Sequence, residues 1–413
     1  MSDLVTVTDI RRARERFDPE IVRETPVERS RSLSEMSGAD VRLKMEHLQR
    51  TGSFKTRGAS NKIHELVAGG ASRSDAGDAE RVVAASAGNH AQGVALAATN
   101  AGIPSTVVMP EDAPQAKVDA TRGYGAEVVL RGREFQVAVA HARDLADEPG
   151  AVFVHAYDDP AIVAGQGTLG LEIAEQVPDL DTVIVPIGGG GLIGGVATAL
   201  AAVAPEVRVV GVQADDAATV PESLDKGEPV DREETRTIAD GIATGGVADL
   251  TYDLIERHVD EVVTVSDDEI AHAILTLLGR AKQLVEGAGA ASVAGLLSGR
   301  VDVTDETVVP LLCGGNIDMS MLDTVLEHAM TDRDQLLRLR VRIEDEPGEL
   351  STLSTVLADR GANVRHVRHD RAVGELRVGE AYLTFEVNTS GREHATQLID
   401  AIDERGYEVT RIN

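Results

Sequence analysis

Cysteine is almost absent from this chain. Cys313 stands alone among 413 residues. One cysteine excludes an intramolecular disulfide and fits a reducing, cytoplasmic compartment. No cysteine or histidine cluster has the spacing of a structural zinc site. Lysine is scarce as well: Lys44, Lys55, Lys62, Lys117, Lys226 and Lys282 are all there are, the remainder of the forty basic residues being arginine. Against 69 acidic residues these leave a formal charge of −29. Such a surface repels nucleic acid and anionic lipid, which excludes both as partners. Low lysine beside abundant Asp and Glu points to a halophilic protein, whose self-repulsion is screened by a salt-rich cytoplasm, with an ordinary acidic mesophile protein as the alternative. The N-terminus has no basic-then-apolar signal pattern. The one long uncharged run, Val183 to Pro205, is broken by six glycines and Pro186. It reads as strand, glycine loop and buried helix rather than as a membrane span.

With six lysines, the setting of each matters. Lys55 lies in Thr51-Gly52-Ser53-Phe54-Lys55-Thr56-Arg57-Gly58-Ala59. It opens a predicted helix, Thr56 to Val67, that carries an apolar face of Ala59, Ile63, Leu66 and Val67 and ends at Gly69-Gly70. An amine set among small and apolar residues loses its proton more easily and can form a Schiff base with an aldehyde. Two further stretches each follow a predicted strand and open a helix: Ser86-Ala87-Gly88-Asn89-His90 and Gly188-Gly189-Gly190-Gly191. Four residues without Cβ before a helix N-terminus favour a phosphate. No Lys-Ser or Lys-Thr follows, which disfavours a nucleotide-triphosphate loop. A Gly-x-Gly-x-x-Gly match is present, with Asp215 and Asp216 further on, so this loop alone also admits a dinucleotide reading.

The chain predicts two sets of alternating short apolar strands and helices. Strands at Arg81–Ala85, Ser105–Met109, Glu127–Leu130 and Ala151–His155 form a smaller lobe of parallel sheet. Strands at Thr182–Pro186, Val207–Gln213, Glu261–Val265 and Thr307–Leu312 form a larger one. Thr8–Phe17 is a helix acting as lid or packing arm. Ligands in open parallel sheets sit beyond the carboxyl ends of strands, and all three glycine-bearing motifs are expected there. Ser266-Asp267-Asp268-Glu269 has capping-box spacing at the start of a helix reaching Leu284. After a polar linker at Thr331 to Gln335 the texture changes. Residues 337–413 read as βαββαβ, a ferredoxin-like unit.

Together, the Lys55, Asn89 and tetraglycine motifs, in this order, resemble the threonine dehydratase family. The resemblance covers roughly residues 5–330. It implies a pyridoxal-phosphate (PLP) enzyme of the two-lobed tryptophan synthase β fold (fold type II), with the small lobe at about 57–159 inserted in the large one. Asp345-Glu346-Pro347-Gly348-Glu349-Leu350 resembles the first turn of an ACT domain, a module that commonly binds amino acids. The expected organisation is a catalytic domain at 1–330 and a regulatory one at 337–413.

The resemblance also implies roles. Lys55 holds PLP and then takes the substrate's Cα proton. Phe54, Asn89, Gly188, Gly189, Gly190, Gly191, Gly241, Glu286 and Cys313 surround the cofactor, with Cys313 against the pyridine nitrogen. Ser86, Ala87, Gly88, Asn89 and His90 take the substrate carboxylate; for His90 a purely structural part in the helix turn is an equal alternative. Threonine gives 2-oxobutanoate and ammonia, serine gives pyruvate, and the pathway served is isoleucine biosynthesis. Racemases resembling this family have serine at the place of Ala87, and sulfur-transfer synthases usually have aspartate at that of Thr56. Gln213 and Thr219 stand where parts of the family place acidic cation ligands, so no metal is expected. Pro347, Gly348 and Asn363 are the expected effector contacts, for isoleucine or valine, in a homodimer or homotetramer. The rivals are a serine/threonine racemase, another PLP elimination or replacement enzyme, and a non-catalytic amino-acid sensor.

Overall fold

The computed structural model describes residues 5–68, 79–232 and 235–412. The chain divides into two compact units, Met1–Asp318 and Met319–Asn413. In the first unit the strands are β1 (Val27–Arg29), β2 (Asp40–Lys44), β3 (Arg81–Ala85), β4 (Ser105–Met109), β5 (Glu127–Leu130), β6 (Ala151–Phe153), β7 (Thr182–Pro186), β8 (Arg208–Ala214), β9 (Glu261–Val265) and β10 (Thr307–Pro310). They form two sheets, ordered β1-β2-β10-β7-β8-β9 and β5-β4-β3-β6. Of these strands only β1 runs antiparallel to its neighbour among the described residues. β4 and β7 are buried along their whole length, as expected of parallel strands covered by helices on both faces.

Glycine sets how closely two of the helices approach. A Cβ on Gly58 would lie 2.5 Å from Gln166 Nε2, and one on Gly165 would lie 2.6 Å from the Gly58 Cα. The helix Lys55–Val67 is thereby laid directly on Pro160–Gln176. The Gly58 amide donates to Gln166 Oε1 at 3.2 Å. The first helix, Val7–Glu15, is a packing arm: Ile10 and Ala13 bury against Val163, Leu171 and Leu254.

The second unit has the expected βαββαβ order. Its strands β11 (Leu336–Glu344), β12 (Asn363–Asp370), β13 (Glu380–Asn388) and β14 (Glu408–Arg411) form an antiparallel sheet ordered β12-β13-β11-β14. Helices Glu349–Asp359 and Arg392–Asp403 bury Leu353, Leu357, Leu398 and Ile402 on it. Helix Met319–Asp332 clusters with this unit.

The differences from expectation are local. The helix after Ser266 has its capping box, but at Leu277 it turns into a π-helical turn and stops at Lys282, whose φ is +61°. Helices Arg31–Ser37, Val220–Lys226 and Gly287–Leu297 were not expected. The last is Gly-Ala-Gly-Ala-Ala-Ser-Val-Ala-Gly-Leu-Leu and is buried nearly all round, so no periodic face announces it. The predicted helix end at Gly69-Gly70 lies outside the described residues; the helix itself is capped at Ala68.

Candidate active site

Three loops and two helix starts converge on Lys55. The Lys55 loop does not lie at a strand end, as expected, but follows a 3-10 turn at Glu46–Leu48. It is tied to the end of β10 instead. Ser53 forms a bridge with Gly314, and the Phe54 amide donates to the Cys313 carbonyl at 3.1 Å. The other two motifs do sit beyond strand ends, Ser86–Gly88 after β3 and Gly188–Gly190 after β7.

Lys55 Nζ donates to the Ala156 carbonyl at 3.1 Å and lies 5.2 Å from the centre of the Phe54 ring. Burial lowers its pKa to about 8, despite opposing influence from Cys313 and Glu286. An amine so tuned has a neutral, nucleophilic fraction near neutral pH. Burial, with the Lys55 charge second, lowers the His90 pKa to about 3. His90 is therefore neutral, and its Nε2 is committed to the Val154 carbonyl at 2.9 Å. Cys313 is buried, which pushes its thiol far up; its Sγ donates to the Ala288 carbonyl at 3.3 Å. It stays a thiol. Ser86 Oγ accepts the Gly88 amide at 3.1 Å. Asn89 Nδ2 donates to Glu286 Oε1 at 2.6 Å, and burial raises the Glu286 pKa. Gly241 lies beside them: a Cβ there would reach 3.0 Å from the Ala288 Cβ and 3.5 Å from Glu286 Oε1.

The tetraglycine loop opens helix Gly191–Val203, whose first amides have no acceptor within the helix. A Cβ on Gly189 would fall on the Tyr157 ring, and one on Gly191 would lie 3.0 Å from the Tyr157 Cβ. Gly190 has φ +85°, and its Cβ would meet Thr251 at 2.8 Å. The loop is thus a surface of bare backbone pinned between side chains. Ser53 Oγ, fully buried two residues before Lys55, has no hydrogen-bond partner among the described residues. A tuned amine, a phosphate-compatible glycine cradle and an unpartnered buried hydroxyl fit an aldehyde-bearing phosphate such as PLP.

The family comparison decides the matter: the model for pyridoxal-phosphate-dependent enzymes matches residues 19–314. The chain belongs to that family. Its C-terminal part matches the ACT domain over residues 337–404. It is 44% identical over 406 residues, 98% of this chain and 99% of the other, to an L-threonine ammonia-lyase of Thermotoga maritima. It is also similar to the processed form of threonine deaminase isoform 2 from Solanum lycopersicum, at 36% identity and TM-score 0.72 over 79% of this chain and 87% of that one. Maize serine racemase gives 34% and 0.71 over 80% and 99%. PLP is therefore the cofactor, and the protein is a two-lobed α/β enzyme of this family with a ferredoxin-like ACT domain.

Several contacts around this PLP enzyme's site escaped motif reading, among them those of Arg57 within the Lys55 motif itself. Arg57, fully buried, donates to Glu46 Oε2 at 2.7 Å and Oε1 at 2.9 Å, and to Glu172 Oε1 at 2.6 Å and Oε2 at 2.8 Å. Lys44 Nζ joins Glu172 at 2.9 Å. Two buried cations thus balance two buried carboxylates, anchoring the helix that carries Lys55 to the helix Pro160–Gln176. Asn316 and Tyr157 also belong to the site's walls. Gln213 Oε1 accepts the amides of Thr219 and Val220 at 3.1 and 2.9 Å, so it is already engaged. Among the described residues, no helix is long and apolar enough to cross a membrane. In the ACT unit, Gly348 has φ +110° and caps the helix Glu349–Asp359, and Asn363 is the first, exposed residue of β12.

Proposed function

We propose that this protein is an L-threonine ammonia-lyase that converts threonine to 2-oxobutanoate and ammonia, and serine to pyruvate. The observation that carries this reading is the 44% identity to an L-threonine ammonia-lyase across nearly the whole of both chains. The catalytic domain is assigned to 1–330, with the small lobe at about 57–159, and the regulatory domain to 337–413.

Lys55 would hold the cofactor through its aldehyde, and Gly188 to Gly191 would offer amides and a helix N-terminus to its phosphate. Phe54, Asn89, Gly241, Glu286 and Cys313 line the rest. Bound there, the cofactor supplies an electron sink for the charge left at Cα. The Lys55 amine, when free, would take the Cα proton, for which a pKa of about 8 is suitable. Ser86, Ala87, Gly88, Asn89 and His90 hold the substrate carboxylate at a helix start. Cys313, a thiol whose proton goes to the Ala288 carbonyl, would give the pyridine nitrogen an uncharged sulfur neighbour rather than a carboxylate. Loss of the β-hydroxyl with the Cα proton removes water, which returns in hydrolysis to release ammonia and the 2-oxo acid. Ala87 has no proton to give to the opposite face of Cα, which favours elimination over racemisation.

The −29 charge supports a halophilic, cytoplasmic protein. β12 and β14 are open edges, which favours pairing with a second copy in a homodimer or homotetramer. Pro347, Gly348 and Asn363 would then hold an allosteric effector, isoleucine or valine, as end product of isoleucine biosynthesis. The test measures 2-oxo acid yield from L-threonine, L-serine and D-serine, with and without isoleucine, in wild type and Asn363→Ala. Threonine-dependent yield, inhibited by isoleucine in wild type alone, is the expected result. Racemised serine without 2-oxo acid overturns the lyase reading. Equal inhibition of both proteins overturns the effector site.

A further inference from the structure

Three segments of the site meet at one side chain that motif reading passes over. Asn316 Nδ2 lies 2.7 Å from the Thr51 carbonyl and 2.7 Å from Asn89 Oδ1. The polarity of this chain of bonds is fixed at one end. A backbone carbonyl can only accept, so the Asn316 atom facing it is the NH₂ group. That nitrogen has two hydrogens, one for Thr51 and one for Asn89. The Asn89 atom opposite must then be its oxygen, which turns the Asn89 NH₂ toward Glu286 Oε1 at 2.6 Å. The second Asn89 N–H keeps no partner among the described residues.

The backbone is shaped for this contact. Gly52 has φ +74°, and a Cβ there would lie 2.5 Å from Asn316 Oδ1. The Gly315 amide donates to the Gly52 carbonyl at 2.8 Å, closing the two loops on each other. A Cβ on Gly314 would collide with the Glu286 carboxyl and approach Asn89 Nδ2 to 3.1 Å.

We propose that Asn316 is a positioning residue for the reaction: by committing both amide hydrogens, it locks the Asn89 amide with its oxygen toward Asn316 and its NH₂ toward Glu286. This rests on the reading that Asn89 contacts the cofactor. If the lock is removed, Asn89 can turn over and present a carbonyl to the Glu286 carboxyl. That carboxyl, already pushed up by burial, then holds its proton more tightly. The other charged or titratable groups facing it are Lys117, Asp240, Lys55 and Cys313.

The experiment compares Asn316→Asp with Asn316→Ala. Aspartate fills the same volume but cannot donate to Thr51, and it draws the Asn89 NH₂ toward itself. Alanine leaves Asn89 free to take either orientation. An orienting role therefore ranks Asp as the worse variant, while a packing role ranks Ala as worse. Equilibrium dialysis of each holoenzyme against PLP should give a cofactor Kd raised about tenfold by Asp and about threefold by Ala. The visible cofactor band should titrate at higher pH in Asn316→Asp than in wild type. Glu286→Gln, which can donate to a turned Asn89, should restore most of the loss in either background and serves alone with Asn316→Ala if Asn316→Asp does not fold. Ala ranking worse, or losses undiminished when Glu286→Gln is added, overturns the positioning role. A wild-type protein with no Lys55-dependent visible band overturns the cofactor reading itself, and this role with it.

Discussion

Arg57→Met should destabilise the catalytic unit severely, and more so as pH rises. The guanidinium makes four close bonds to two carboxylates, and neither Arg57 nor Glu46 has exposed side-chain surface. Methionine keeps much of the volume, so the main loss is electrostatic. Removing one partner from a buried pair costs about 3–5 kcal/mol, because a charge is left without compensation. At about 2.1 cal/mol/K of unfolding entropy per residue, the unit Met1–Asp318 melts about 4–7 °C lower for that loss. The pH dependence follows from Glu46. Burial alone would raise its pKa, but the Arg57 charge and hydrogen bond, with Lys44 and Thr25 behind them, hold it below the usual range. In wild type its contribution is therefore present above the unfolded pKa, about 4.3, and is lost as pH falls through the folded value. Without Arg57, burial dominates and the folded pKa moves above the unfolded one. The folded state then binds the extra proton, and stability falls as pH rises. The gap between variant and wild type should widen from pH 5 to pH 8. Thermal melts at both values decide it, with Arg57→Lys as the control that keeps the charge but loses the planar fork. A drop under about 2 °C, or one equal at the two pH values, refutes the reasoning.

Lys55→Ala should abolish turnover and the visible cofactor band while leaving the melting temperature of the apoprotein within about 2 °C of wild type; a surviving band means another lysine holds PLP. In wild type, capture of PLP by apoprotein should accelerate through pH about 8, where the Lys55 amine becomes neutral, and not at the ordinary lysine value near 10.5. Gly189→Ala should weaken PLP binding by about 100-fold or more, because its Cβ lands on the Tyr157 ring; unaltered affinity in a titration would show that the loop yields. With a charge of −29, activity and melting temperature should both fall on dialysis to low ionic strength, and a midpoint indifferent to salt removes the halophilic reading.

Much of the fold was legible because parallel strands covered on both faces are written as short apolar runs between turns. β3, β4 and β7 have the predicted limits for that reason, and the edge strands β5 and β9, only partly buried, have them too. Gly287–Leu297 was not legible, since a helix buried all round has no polar stripe to betray its period. At the site, the local motifs were legible and their mutual wiring was not. Ser53 meets Gly314, Asn316 meets Thr51 and Asn89, and Arg57 meets Glu172, all across more than a hundred residues or between loops.

Arg57 makes the physical reason plain. In sequence it stands in the Lys55 motif, but nothing there shows what it pairs with, and most arginines of a strongly acidic chain are solvated surface charges. What removes it from the surface is the glycine contact of Gly58 with Gly165 one residue later. That contact brings two helices close enough to exclude water, and Glu172 sits two turns along the second helix to meet the buried charge. The helix bearing Lys55 is thus held by a neutral four-charge cluster, Lys44, Glu46, Arg57 and Glu172. Salt screens exposed charges far more than buried ones. The −29 surface should therefore respond to ionic strength while this cluster does not, so loss of activity at low salt should begin at the surface, with the seat of Lys55 intact until the catalytic unit unfolds.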